Sequence, residues 1–234
     1  MNFGLMDSKL WIKYNQLLKE VGFVCDPLPL LEFEYPEKQE ELMGLISHEQ
    51  VPIVLTSGRA FKVLKDFAQK TGMKPSNLYV VGKSTAEHIK KLGWKIVAEA
   101  ENCESLIAKV SWDQELPLIY LCGNLRRDIL PDFWRKNQVS FIEKAVYKTL
   151  LTYLEVDFSR YEFALLASPS SVRSLTQNNR FTNEFLFASI GPLTTTAIRK
   201  AGYENIIESS DLTISTLINQ LNELFHNKTS NSQS

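Results

Sequence analysis

Pro52-Ile-Val-Leu-Thr-Ser-Gly-Arg-Ala-Phe61 is a short apolar run that ends on hydroxyls and turns at once into a helical pattern, and Phe163-Ala-Leu-Leu-Ala-Ser-Pro-Ser-Ser-Val172 writes the same pattern again. Apolar runs of this length, bounded by turn residues and followed by amphipathic stretches, are the signature of parallel strands buried on both faces. A second pair follows the first in each copy. Tyr79-Val-Val-Gly-Lys-Ser-Thr-Ala-Glu-His88 aligns with Ala188-Ser-Ile-Gly-Pro-Leu-Thr-Thr-Thr-Ala197, and each glycine is followed at equal spacing by another, Gly93 or Gly202. More loosely, Phe3–Leu31 matches Leu118–Tyr147 as strand, long helix and strand. The chain is one unit written twice.

Working outward, strands are expected at Phe3–Met6, Phe23–Pro27, Pro52–Thr56, Leu78–Val81, Lys95–Ala98, Leu118–Cys122, Ser140–Ala145, Phe163–Ala167, Leu186–Ile190 and Asn205–Glu208, with helices between most of them. The fold class is α/β: two similar lobes, each a mostly parallel sheet flanked by helices. The 234 residues are long for one domain and comfortable for two. The repeat fits either tandem lobes or lobes that exchange segments, and periodicity alone leaves both open.

Composition narrows the function. Lys plus Arg (26) nearly cancels Asp plus Glu (27), so no global field recruits nucleic acid or an anionic membrane. Cys25, Cys103 and Cys122 are scattered and lack C-x-x-C spacing, which reads as buried thiols in a reducing compartment. With no basic segment leading into an apolar run at the start, and nowhere eighteen consecutive apolar residues, the expectation is a cytoplasmic protein. The sequon Asn227-Lys228-Thr229 carries no weight without a secretory signal, and HNKTSNSQS reads as a frayed tail.

Neither G-x-G-x-x-G nor G-x-x-x-x-G-K-[ST] occurs, so no nucleotide phosphate loop is indicated. His48, His88 and His226 stand apart from any zinc-like or nucleophile–base spacing, and Ser57 and Ser168 lack the G-x-S-x-G context of a hydrolase nucleophile. No metal site and no cofactor are expected. What stands out is four strand-to-helix junctions rich in hydroxyls: Thr56-Ser57-Gly58-Arg59, Gly82-Lys83-Ser84-Thr85, Ala167-Ser168-Pro169-Ser170-Ser171 and Gly191-Pro192-Leu193-Thr194-Thr195. Helix N-termini at the carboxyl ends of parallel strands receive anions, and a cleft between lobes is a usual site. Ser and Thr there also serve as helix caps, a role compatible with ligand contact. A fifth junction, Leu121-Cys-Gly-Asn-Leu-Arg-Arg-Asp-Ile-Leu-Pro131, places Arg126 and Arg127 in the expected first helical turn, where they oppose the dipole unless an anion lies nearby.

These residues together resemble the uroporphyrinogen-III synthase family. The carriers are Leu55-Thr-Ser-Gly-Arg-Ala60, Val80-Val-Gly-Lys-Ser-Thr-Ala86, Cys122-Gly-Asn-Leu-Arg-Arg127 with Ile129-Leu-Pro131, Ala145-Val-Tyr-Lys-Thr149, Ser168-Pro-Ser170 and Ile190-Gly-Pro192 with Thr194. Two departures are visible: Leu193 stands where the family commonly has a hydroxyl, and the first strand reads as short, which would loosen a lobe edge. The resemblance implies exchanged segments, with one lobe from 1–30 plus 152–234, the other from 34–145, and a two-stranded connector from Leu28–Tyr35 and Glu143–Thr152. It implies a cofactor-free hydro-lyase of porphyrin biosynthesis that cyclises hydroxymethylbilane with inversion of ring D through a spiro intermediate. Tyr147 is then the candidate acid. Thr56, Ser57, Arg59, Lys83, Ser84, Thr85, Arg126, Ser168, Ser170, Ser171 and Thr194 are the candidate contacts for substrate carboxylates and pyrrole edges. The expected partner is the small-molecule substrate, with a monomeric protein that hydroxymethylbilane synthase supplies, and no nucleic acid or membrane. The alternatives are a two-lobed tetrapyrrole or anionic-metabolite binding protein without catalysis, and an α/β transferase acting on an anionic metabolite.

Overall fold

In the computed structural model, which describes residues 2–35, 40–113 and 115–231, the chain divides into two units. The first comprises Met1–Glu32 with Leu150–Ser234, and the second Phe33–Thr149.

The first unit holds strands β1 (Asn2–Asp7) and β2 (Phe23–Leu28), joined by helix α1 (Ser8–Glu20). The elements that follow the second unit in the chain complete it. These are β9 (Phe163–Leu166), α7 (Pro169–Thr176), β10 (Leu186–Ser189), α8 (Pro192–Lys200), β11 (Ile206–Glu208) and α9 (Ile214–Asn231). Between them run β3 (Leu31–Glu34), α2 (Glu40–Leu45), β4 (Ile53–Leu55), α3 (Gly58–Thr71), β5 (Leu78–Val81), α4 (Lys83–Lys91), β6 (Ile96–Ala100), α5 (Cys103–Lys109), β7 (Leu118–Gly123), α6 (Ile129–Lys136) and β8 (Phe141–Leu151).

The first sheet has the order β11-β10-β9-β1-β2 and the second β3-β8-β7-β4-β5-β6. Pairing within the five repeated strands of each is parallel. Matching β1, β2, β9, β10 and β11 with β7, β8, β4, β5 and β6 gives one order for both sheets, and β3 is an extra strand beyond β8. In each, the chain path reverses at the central pair, β1 beside β9 and β4 beside β7, the position where open α/β sheets bind ligands at the carboxyl ends of their strands.

Burial explains the short apolar runs. Ile53 and Leu55 face one side of the second sheet and Val54 the other, and all three are fully enclosed because helices cover both faces. Four apolar clusters result, one on each face of each sheet. Helix α3 shows how local signals agree: Ser57 caps its start, Ala60, Phe61, Leu64, Phe67 and Ala68 line its buried stripe, and Gly72 at φ 73° ends it in the left-handed region that glycine adopts without penalty.

Three expectations are corrected. β1 is six residues long and lies between β2 and β9, an interior strand rather than a loose edge, because its Leu5 and Met6 pack into opposite cores. Helix α9 continues through Asn231, so most of the polar HNKTSNSQS segment is helical, and only its last three residues lie outside the described ones. Arg126 and Arg127 precede the helix rather than opening it, since α6 starts at Ile129 behind Asp128.

Candidate active site at the strand ends

In the second unit, Ser57 follows β4 in an extended conformation and its Oγ accepts a hydrogen bond from the Ala60 N–H at 3.1 Å. In the first unit Ser168 does the same after β9, accepting from the Ser171 N–H at 3.0 Å, with the two serine hydroxyls 2.8 Å apart. A serine that caps through its oxygen keeps its own proton to donate to a carboxylate. The repeated glycines match as well: Gly82 and Gly191 head α4 and α8. Gly93 and Gly202 follow those helices at φ 68° and 93°.

The two copies differ in charge. Where the second unit has Gly58, Arg59 and Lys83, the first has Pro169, Ser170 and Pro192. Proline at the first helical position removes one of the N–H groups that face an anion. The second unit thus offers more donors and two cations, and the first offers hydroxyls.

Side-chain placement separates the candidates. Lys83 and Ser84 are exposed, Arg59 and Ser170 half-buried, and Thr85, Ser171 and Thr194 buried under the first turns of α4, α7 and α8. Thr56 already has a partner, its hydroxyl lying 3.1 Å from that of Tyr120. Arg126 is engaged too, pairing with Asp128 at 2.7 Å and with Glu143 at 2.8 Å, so its charge ties the β7 exit to β8. Arg59 lies over Phe33, its guanidinium carbon 3.6 Å from the ring centre.

Tyr147 sits on β8, half-buried against the core that α3 covers. Its ring centre is 6.5 Å from those of both Phe33 and Tyr35. Among the described residues its hydroxyl has no hydrogen-bond partner. Its register partner is Gly123, and the pairing skips Val146: Cys122 faces Ala145 while Gly123 faces Tyr147. This bulge brings the tyrosine ring across the glycine at the end of β7, at the reversal point of the sheet.

Residues that sequence reasoning missed as site partners are Asn124, Tyr120 and Glu143. The Cys-Gly-Asn-Leu-Arg-Arg stretch signalled the first, but nothing local points to the partners across the sheet. Among the described residues no group of three or more His, Cys, Asp or Glu is arranged to hold a metal, and no helix is long and apolar enough to cross a membrane. Two cavities, of about 840 Å³ in the first unit and about 450 Å³ in the second, open beside the amino ends of the strands, away from these residues. They hold none of the candidate side chains.

The fold and the residues at its strand ends define a doubly wound, duplicated α/β protein with hydroxyl-rich helix starts at the carboxyl ends of its strands. The family model described as uroporphyrinogen-III synthase HemD matches residues 12–219, and the chain belongs to the uroporphyrinogen-III synthase family. It is 26% identical over 179 residues to the uroporphyrinogen-III synthase of Saccharomyces cerevisiae, a match that takes in 61% of this chain and 64% of the yeast protein's length. Among solved structures, a mutant uroporphyrinogen III synthase from Thermus thermophilus superposes with a TM-score of 0.74 at 12% identity, covering 97% of this chain and all of that one. The uroporphyrinogen-III synthetase of Helicobacter pylori does so with 0.66 at 14% identity, covering 96% and 100%. At such identities these likenesses establish the fold.

Proposed function

We propose that this protein is itself a uroporphyrinogen-III synthase, converting hydroxymethylbilane to uroporphyrinogen III and water. The observation that carries the reading is the family match over residues 12–219. The hydroxyl of ring A's hydroxymethyl group takes a proton and leaves as water, giving an azafulvenium cation. Ring D attacks it through its substituted carbon, the resulting spiro intermediate fragments and recombines with ring D inverted, and loss of a proton restores the pyrrole, returning the proton taken up at the start.

Each ring of the substrate carries two carboxylates, and the strand ends suit that load. In the second unit Arg59, Lys83 and the Ser57 hydroxyl are the groups suited to receive them, and in the first unit Ser168 and Ser170 are, while Ser84, Thr85, Ser171 and Thr194 back the helix starts of their own units. Thr56 and Arg126 support the site through Tyr120 and Glu143 rather than as free donors. Holding two reacting rings in contact can lower a barrier by roughly 7–11 kcal/mol, so the larger share of the work is positional. Tyr147 supplies the proton for the leaving hydroxyl. The protein acts as a cytoplasmic monomer, and because free hydroxymethylbilane closes unaided to the type I isomer, the enzyme that makes it hands it over.

The test is to add hydroxymethylbilane to the purified protein and resolve the product isomers by chromatography. Type III product is expected, and type I alone at the unaided rate would end the proposal. Tyr147→Phe is expected to lower kcat by about 10²-fold or more with its melting temperature unchanged; wild-type turnover would remove the tyrosine from the mechanism.

A further inference from the structure

β7 ends at Gly123, yet its pairing with β8 does not stop there. The Asn124 N–H donates to the Tyr147 carbonyl at 3.3 Å. Beyond that, the Asn124 side chain does what the backbone of one more strand residue would do: its Oδ1 accepts from the Thr149 N–H at 2.7 Å and its Nδ2 donates to the Thr149 carbonyl at 3.2 Å. The two bonds fix the orientation of the amide, because only one face-to-face pairing of C=O and NH₂ with a backbone N–H and C=O is possible. Asn124 therefore grips β8 on either side of Lys148, at the carbonyl of Tyr147 and at both backbone groups of Thr149.

Beneath the ring, Gly123 completes the seat. A Cβ there would lie 2.4 Å from the Tyr147 Cζ and 2.7 Å from its hydroxyl oxygen. The bulge at Val146 turns Tyr147 toward this bare backbone, and the Asn124 clamp stops the strand from sliding out of the bulged register. Asn124 is exposed, and exposed hydrogen bonds add little to stability. Three of them converging on one strand segment serve its register.

We infer that Asn124 is a positioning residue for Tyr147, holding β8 in the bulged register so that the phenol meets the leaving hydroxyl of the substrate. This rests on the reading of the protein as a uroporphyrinogen-III synthase with Tyr147 as its acid.

The experiment is a double-mutant cycle on the full chain, with kcat, KM and the fraction of type III isomer measured with hydroxymethylbilane. Asn124→Ala is expected to lower kcat by about tenfold, since small misplacements of reacting groups have effects of this order or larger, with KM changed by less than about twofold. In the Tyr147→Phe background the same substitution is expected to change kcat by less than about twofold, because residues that act through one another are not additive. Equal losses in both backgrounds, or no loss in either, would overturn the inference. If Asn124→Ala fails to fold, Asn124→Asp, which keeps the acceptor for the Thr149 N–H, replaces it in the cycle with the same two readings. A wild-type protein that forms no type III product fails the functional reading instead, and Tyr147→Phe with unchanged turnover fails the acid assignment, so the three failures are told apart.

Discussion

The hydroxyls of Thr56 and Tyr120 lie 3.1 Å apart at the reversal point of the second sheet, one at the carboxyl end of β4 and the other inside β7. Tyr120 is 2% exposed, and burial raises its pKa above the usual phenol value, so it stays protonated and the pair shares one hydrogen bond.

Thr56→Val is accordingly expected to destabilise the second unit by about 1–3 kcal/mol, the range for leaving a buried partner unpaired, while Thr56→Val with Tyr120→Phe recovers most of the loss. Urea denaturation followed by tryptophan fluorescence checks this, because Trp134 lies 5.5 Å from the Tyr120 ring. A double variant no more stable than the single one would mean that the two hydroxyls are uncoupled.

Ser57→Ala and Ser168→Ala remove caps of nearly the same geometry, with extended backbone at both serines and bonds of 3.1 and 3.0 Å. Each is expected to destabilise its own unit by about 1 kcal/mol. The losses add in the double variant because the capped helices belong to different cores. Amide exchange on α3 and α7, read separately, measures both.

Gly4 pairs with Phe163 across β1 and β9, and a Cβ at Gly4 would stand 2.3 Å from the ring of a side chain that is fully enclosed. Gly4→Ala is expected to lose about 1–3 kcal/mol by overpacking. Gly44→Ala, inside α2 with open space around it, is expected to gain about 0.5–1 kcal/mol. Thermal melting of the two variants should move in opposite directions.

Burial pushes the thiols of Cys25 and Cys122 from 9.0 up to about 12, with Asp26 and Glu143 adding to the effect. At pH 8 the folded protein therefore holds these groups as unreactive thiols, and alkylation by iodoacetamide should be slow until denaturant is added. The folded state keeps protons that the unfolded chain releases, so the stability these thiols contribute is present below pH 9 and declines as pH rises toward 12. Unfolding midpoints between pH 8 and 11 test the sign, and a midpoint that rose with pH would contradict it.

Much of this architecture was legible in the chain itself. Leu78–Val81 reads as a strand and is one, because four buried apolar residues followed by Gly82 admit few other local structures. Ser57 and Ser168 announce helix starts through side-chain chemistry that acts within three residues. β8 shows the limit: the sequence pattern suggests a strand ending at Ala145, whereas pairing carries it to Leu151. Arg126 shows it again, since its partner Glu143 comes from another strand and leaves it bound where the sequence suggested a free cation.

Apolar spacing, caps and glycines act over a few residues, so the order of amino acids alone determined the α/β class, the duplication and the hydroxyl-rich strand ends. Strand order, the seating of Tyr147 over Gly123 and the grip of Asn124 on Thr149 depend on which segments meet when two cores close. Contacts of that kind join residues distant in the chain, and their energy exists only in the assembled sheet.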